Sequence, residues 1–295
     1  MNDAAIPLVS VVIPTYNHGC YLGRALQSVL DQTYTNWEAI VVDNNSTDNT
    51  DEVMAGFNDP RFTYLKIHNN GVIAASRNAG IRVARGGWVA FLDSDDWWKK
   101  DKLKVCFDRI NDEVDLVYHD LEIVREAPSI LKRRYLNSWQ VKKPVLKDLL
   151  LRGNAIATTS VVVRKSLLEK IGGINESVKM IAVEDFNTWL RIAQITDKFI
   201  YLHQCLGFYL FHTGGVSRKK IDELLYHACS EFMYLLDSQE AVTYEATVQY
   251  VIALNDFYSG KASSARSGLY YSIRHGNLSL KLKSIILLCY FRLKF

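Results

Sequence analysis

Apolar runs and amphipathic stretches alternate along the chain as far as Leu92. Leu8 to Ile13 is apolar and β-branched and is closed by Pro14, which predicts a buried strand. Tyr21, Leu22, Ala25, Leu26, Val29 and Leu30 then recur at helical spacing and paint one face. Trp37 to Val42 predicts a second buried strand. The polar stretch Asp43 to Asp51 ends it and caps a helix through Met54 and Phe57. Phe62 to Ile67 predicts a third strand, Val72 to Val83 a helix of small residues, and Trp88 to Leu92 a fourth strand stopped by Asp93. Strands alternating with helices imply βαβ crossovers and a mostly parallel sheet.

The pattern is less regular after Leu103. Val114 to Tyr118, Leu121 to Val124 and Thr158 to Val163 predict strands, and Arg164 to Ile171 predicts a helix ended by Gly172 and Gly173. Phe186 to Ile195 is amphipathic, Phe199 to Phe211 predicts a pair of strands, and the chain beyond Ser217 is helical in pattern.

Composition narrows the class. A chain of 295 residues that is 48% hydrophobic can bury a large core, so disorder and fibrous repeats are excluded. A net charge of only +3 argues against a nucleic-acid partner. The cysteines at 20, 106, 205, 229 and 289 form no CxxC, which speaks against a zinc site or a disulfide framework. Asp3 and the lack of an apolar stretch before Pro7 predict no secretory leader. The longest apolar run, Ile285 to Phe291, falls short of the roughly 20 residues that span a bilayer. A protein that is soluble or lies on a membrane is expected.

In open parallel sheets, ligands bind outside the carboxyl ends of the strands. Here those ends carry Thr15-Tyr16-Asn17, Asp43-Asn44-Asn45 and Asp93-Ser94-Asp95-Asp96. Two carboxylates two residues apart at a strand end can share Mg²⁺ or Mn²⁺ with substrate phosphate. A bare Asp-x-Asp is more often a solvated turn. The preceding WVAFL strand and the following Trp97-Trp98 pair reverse those odds.

Three stretches carry a family resemblance: VSVVIPTYNHGCYLGRALQSVLDQTYTNWEAIVVDNNSTDNT, NNGVIAASRNAGIRVARGGWVAFLDSDDWW and VEDFNTWLRIA. Over about residues 7–215 the chain resembles the family 2 glycosyltransferases with a GT-A fold. The resemblance implies a Rossmann-like, mostly parallel α/β sheet flanked by helices. It implies a catalytic domain over 1–217, with a nucleotide-binding part over about 7–100 and an acceptor-binding part over about 101–217. A helical region, 218–295, follows. The implied reaction moves a sugar from a nucleoside diphosphate sugar, with inversion, to a hydroxyl of a glycan or lipid-linked acceptor. The implied setting is lipopolysaccharide, capsule or exopolysaccharide synthesis on the cytoplasmic side of the membrane.

By the same resemblance, Thr15, Tyr16, Asn17, Asn44, Arg77, Asp93 and Ser94 meet the nucleotide. Asp95, with Asp93 and His212, meets the metal. Asn44 stands where the family often has an acid; its amide can still pair with a uracil or thymine edge, so UDP is expected and dTDP stays open. Asp96 is a spare acid, placed to cap the next helix. Glu184-Asp185 is the second carboxylate pair. Asp185 is expected as the general base that takes the acceptor proton, and Glu184 as the acid that orients the acceptor or Asp185. Both also suit the N-terminus of a helix. The glycines after His212, with Ser217, suggest a loop that closes over the donor. His18 receives no role. From Phe257 to Phe295 there are seven Lys or Arg and no Asp or Glu. Such a basic, apolar segment suits an anionic membrane surface, and equally a helix packed on the catalytic domain. Two other readings stand beside the transferase. A nucleotidyltransferase would need a Gly-rich basic loop after the first strand, which PTYNHG lacks. An inactive sugar-nucleotide-binding or scaffold module is opposed by intact Asp95 and Asp185.

Overall fold

The structure is a computed structural model, and it describes residues 6–126, 134–136, 138–212, 221–258 and 261–294. In chain order the elements begin β1 (Val9–Thr15), α1 (Gly19–Leu30), β2 (Trp37–Asp43), α2 (Thr50–Ala55), β3 (Phe62–Lys66), α3 (Ile73–Val83) and β4 (Trp88–Phe91). They continue with β5 (Trp97–Trp98), α4 (Lys102–Phe107), β6 (Leu116–Arg125), α5 (Val145–Arg152), β7 (Val162–Arg164), α6 (Lys165–Lys170), α7 (Glu184–Ala193) and β8 (Phe199–Phe211). The last helices are α8 (Ile221–Cys229), α9 (Ser238–Tyr258), α10 (Ala262–His275) and α11 (Leu278–Lys294). The chain divides into two compact units, residues 1–141 with 155–214, and residues 142–154 with 215–295.

The first unit is the expected α/β architecture. One eight-stranded sheet runs in the order β3-β2-β1-β4-β7-β6-β8-β5. The strands β3, β2, β1 and β4 are parallel; β7 is antiparallel to both its neighbours, and β8 runs parallel to β6. Strands β1 and β2 are buried at every residue, as central strands covered on both faces must be. On one face Val9, Val11 and Ile13 meet Leu22, Leu26 and Val29 of α1 in a single core, all of them fully buried.

Three expectations are corrected. Phe199–Phe211 is one long strand, not two. Gly207 lies inside this strand, where a Cβ would come within 2.9 Å of Leu121 Cδ2 and 3.1 Å of Trp98 Cδ1. Its lack of a side chain serves close approach by β6 and β5 from opposite sides. The two strands expected around Val114–Val124 are one, β6, whose register with β8 shifts between His119 and Leu121. Thr158–Ser160, expected as strand, is a 3₁₀ turn before β7. The β-branched threonines give a strand signal, but their hydroxyls are drawn to carboxylates of the site described below.

The second unit is helical. In it Lys147 of α5 pairs with Glu240 of α9 at 2.6 Å, and Thr247 of α9 donates to the Leu151 carbonyl at 2.6 Å. Among the described residues no helix is long and apolar enough to cross a membrane.

Candidate active site

The carboxyl ends of β2, β1 and β4 lie side by side, which brings the three polar clusters to one edge. The first two clusters are laced together. Asn44 N–H donates to the Thr15 carbonyl at 3.0 Å, Asn17 N–H to Ser46 Oγ at 2.8 Å, and Thr47 N–H to Asn17 Oδ1 at 2.8 Å. Asn17 and Asn45 both adopt positive φ, 49° and 51°, which Asn tolerates because its side chain bonds locally. Asp43 turns inward: fully buried, it accepts from Ser46 N–H and from the Tyr64 hydroxyl, each at 3.0 Å. Asn44 Oδ1 accepts the Asn69 N–H at 2.8 Å. Tyr16 is 54% exposed, whereas Thr15 is buried and its hydroxyl has no hydrogen-bond partner among the described residues. That combination leaves an open aromatic face beside a polar group with unfilled bonding capacity.

After β4 the cluster divides its labour. Asp95 Oδ2 lies 2.9 Å from His212 Nε2, and Ser94 Oγ lies 3.0 Å from His18 Nδ1. The His18 and His212 rings are 6.0 Å apart, with Tyr21 against both. Arg24 of α1 donates to the Asp95 carbonyl at 3.1 Å. Asp96 caps no helix, since α4 begins only at Lys102. It is buried instead, accepting from Thr159 Oγ1 at 2.6 Å and from Leu210 N–H at 2.9 Å. Burial, then the charges of Asp95 and Asp93, push its carboxyl well above the usual range. Asp96 thus ties the end of β8, and His212 two residues on, to the Asp95 turn.

The second carboxylate pair is joined to the first through one arginine. Arg77, on α3 and 3% exposed, donates from Nη2 to Asp93 Oδ1 at 2.8 Å and from Nη1 to Glu184 Oε1 at 2.6 Å. Burial opposes its charge, but Asp93 and Glu184 outweigh burial and hold the guanidinium protonated above its ordinary range. Both terminal nitrogens therefore serve carboxylates. Asp185 opens α7, where its Oδ1 accepts the Phe186 N–H at 2.6 Å and its Oδ2 the Thr158 hydroxyl at 3.1 Å. Burial and the adjacent Glu184 push its carboxyl up to about 6, against the lowering pull of Arg77 and those two donors. A carboxylate poised there can hold or release a proton near neutrality.

The loop before α7 is clamped to α3 by Asn78. Its Nδ2 donates to the Ile174 carbonyl and to Glu176, each at 2.8 Å, and its Oδ1 accepts the Ile174 N–H at 2.9 Å. Gly173 is required beside it: φ is +85°, and a Cβ would lie 2.8 Å from Asn78 Oδ1. Gly173→Ala is expected to lower stability by about 2–3 kcal/mol, the left-handed penalty plus overpacking. Urea unfolding checks this as a lower midpoint at unchanged slope. Close to Asp185, Ala182 also adopts positive φ, 75°.

The structure brings Thr15, Tyr16, Asn17, Asn44, Asp93, Ser94 and Asp95 to one edge, and Arg77 links that edge to Glu184 beside Asp185. His18, Tyr21, Arg24, Thr158 and Thr159 belong to the site and escaped the sequence reading. His18 and Tyr21 lie inside the first resembling stretch, where Tyr21 reads as part of the apolar face of a helix and His18 carries no spacing signal; the threonines are masked by their strand propensity. The loop expected to close over the donor lies in residues 213–220, outside the described residues. Among the described residues no three His, Cys, Asp or Glu side chains cluster as a metal site. The donor set of Asp95 with His212 fits a hard cation whose shell is completed by phosphate oxygens, not an all-protein cage.

The chain is similar to known proteins in sequence and in fold. Residues 10–172 match the family model described as Glycosyl transferase family 2. The chain is 30% identical over 222 residues to the UDP-Glc:alpha-D-GlcNAc-diphosphoundecaprenol beta-1,3-glucosyltransferase WfgD of Escherichia coli, covering 74% of this chain and 82% of that one. In fold it is similar to S. aureus TarS 1–349 in complex with UDP-GlcNAc, with TM-score 0.64, 18% identity, and 92% and 82% of the two chains covered. It spans half of the longer TarS chain. It is also similar to the mannosyltransferase PcManGT of Pyrobaculum calidifontis in complex with GDP-Man and Mn2+, with TM-score 0.64, 19% identity, and 98% and 80% covered.

Proposed function

The chain belongs to glycosyl transferase family 2 and has a GT-A fold, and from that premise we propose that it is an inverting transferase using a UDP-sugar. The acceptor is a hydroxyl of a glycan or lipid-linked glycan, in the synthesis of a bacterial surface polysaccharide. The work is done at the inner face of the cytoplasmic membrane. The observation that carries this reading is the Asp93–Arg77–Glu184 bridge, which joins the two carboxylate pairs that donor and acceptor chemistry need. The UDP donor and the lipid-linked acceptor in the name of the E. coli relative support the substrate classes.

Each residue then has a task. Thr15, Tyr16, Asn17, Asn44 and Ser94 receive the nucleoside; the Tyr16 face is exposed for stacking and the Thr15 hydroxyl lacks a partner among the described residues. Asp93, held by Arg77, faces the ribose and diphosphate side. Asp95 and His212 would hold Mn²⁺ or Mg²⁺, which when bound would offset charge on the leaving diphosphate. Asp185 takes the acceptor hydroxyl proton as that oxygen bonds to the anomeric carbon. The bond from that carbon to the diphosphate oxygen breaks, its electron pair leaving with UDP. Attack opposite the leaving group inverts the centre. Glu184, fixed by Arg77, holds Asp185 and the acceptor in line.

Thermal shifts with UDP, dTDP, GDP and CMP, each with and without Mn²⁺, test the donor assignment. UDP with Mn²⁺ is expected to raise the melting temperature, because a ligand at a hundredfold its Kd adds about 2.7 kcal/mol to stability. Asp95→Ala is expected to abolish the Mn²⁺-dependent part. A shift with dTDP alone moves the nucleotide assignment, and an unchanged Asp95→Ala response removes Asp95 from the metal.

A further inference from the structure

We infer that α11 is a membrane-docking helix whose outward apolar face enters an anionic bilayer surface. This deepens the membrane-side reading above by naming the surface that makes the contact. The helix is apolar on two opposite sides. One side packs within the second unit, where Leu280 is 7% exposed and Ser284 fully buried. The opposite side is open: Leu278 is 75%, Leu282 53%, Ile285 44% and Ile286 69% exposed. At 100° per residue these four fall with exposed Cys289 within one arc of about 100°, centred opposite Leu280 and Ser284. Lys281 and Lys283 lie about 40° and 60° beyond the two edges of that arc at the same 100° per residue.

A packed helix with a solvated basic face would place its lysines, not its leucines, in water. Here Lys283 is exposed, but so are Leu278, Leu282, Ile285 and Ile286, and the lysines border the apolar strip from both sides. Their long stems can follow the strip while their ammonium groups reach the headgroup layer. Charge selects the occupant. No Asp or Glu occurs from Phe257 to Phe295, against seven Lys or Arg, so this segment is complementary to anionic lipid and repels a copy of itself. The helix is also too short and too interrupted by charge to span.

Flotation of the full chain with vesicles tests the inference without any glycosyl transfer. The wild type is expected to float with phosphatidylcholine vesicles containing 40% phosphatidylglycerol, to float at least tenfold less with pure phosphatidylcholine, and to be released by high salt. The Leu282→Glu, Ile286→Glu double variant is expected to lose flotation tenfold or more while keeping its thermal shift with UDP and Mn²⁺. Lys281→Gln with Lys283→Gln, which leaves the apolar strip intact, should lose much of the preference for anionic vesicles. Equal flotation of the Glu variant, or no flotation of the wild type, overturns the inference and leaves the transferase reading untouched. A wild-type dimer that the Glu variant converts to monomer, with neither form floating, also overturns it and makes the strip a self-association face. Lost UDP binding with flotation intact would fault the donor reading alone.

Discussion

Asp185→Asn is expected to lower kcat by about 10²- to 10⁴-fold, the span that a positioned general base contributes. The substitution keeps the shape: the amide oxygen can still accept the Phe186 N–H, and the amide nitrogen can donate to the Thr158 hydroxyl in place of the second carboxylate oxygen. Donor binding, read by the UDP and Mn²⁺ thermal shift, should therefore be unchanged. Loss of both binding and turnover would give Asp185 a structural role instead. The pH profile gives a second reading. A base works ionised, and burial with Glu184 beside it raises this carboxyl to about 6. Wild-type kcat/KM should then fall tenfold per pH unit below about 6 and level off above it. A profile flat from pH 5 to 8 would remove Asp185 as the base.

Arg77→Met is expected to cost about 3–5 kcal/mol of stability, the range for removing one partner from a buried ion pair. It strands Glu184, 6% exposed and with Oε2 already lacking a partner among the described residues, and leaves Asp93 without its cation. Because this variant tests folding as much as chemistry, Arg77→Lys is the companion. It keeps the charge but loses the fork that reaches Asp93 and Glu184 at once. Arg77 lowers the Asp185 carboxyl, so weakening that bridge should move the acidic limb of kcat/KM to higher pH. A purely structural arginine would leave the limb in place. A fully stable, fully active Arg77→Lys with an unshifted limb would show that the bridge is not what aligns the two pairs.

The parallel half of the fold was legible because its signals are local. Leu8–Ile13, Trp37–Val42 and Trp88–Leu92 are continuous apolar runs bounded by polar turns, and each became a strand within one or two residues. Where the signal was ambiguous the tertiary setting decided. Thr158-Thr159-Ser160 has strand propensity, yet Asp185 and Asp96 claim its threonine hydroxyls and bend it into a turn. Lys102 is fully buried with its ammonium 3.8 Å from the Trp98 ring, and burial lowers it to about 8, a placing that no local pattern announces.

The sequence by itself determined the alternation of strand and helix, the placing of three polar clusters at strand ends, and the two carboxylate pairs. Periodicity and turn chemistry act over a few residues, so they survive without a fold. It could not determine which of those groups face one another. Arg77 and Glu184 are 107 residues apart, and His212 lies 117 residues from Asp95. Reading the motif alone, Asp96 is a helix cap and the acid pairs have no link; in the folded chain Asp96 anchors β8 and Arg77 joins the two acid pairs. Partners for buried charges are set by which elements the sheet order brings into contact, because a charge removed from water must be met by whatever the fold places beside it.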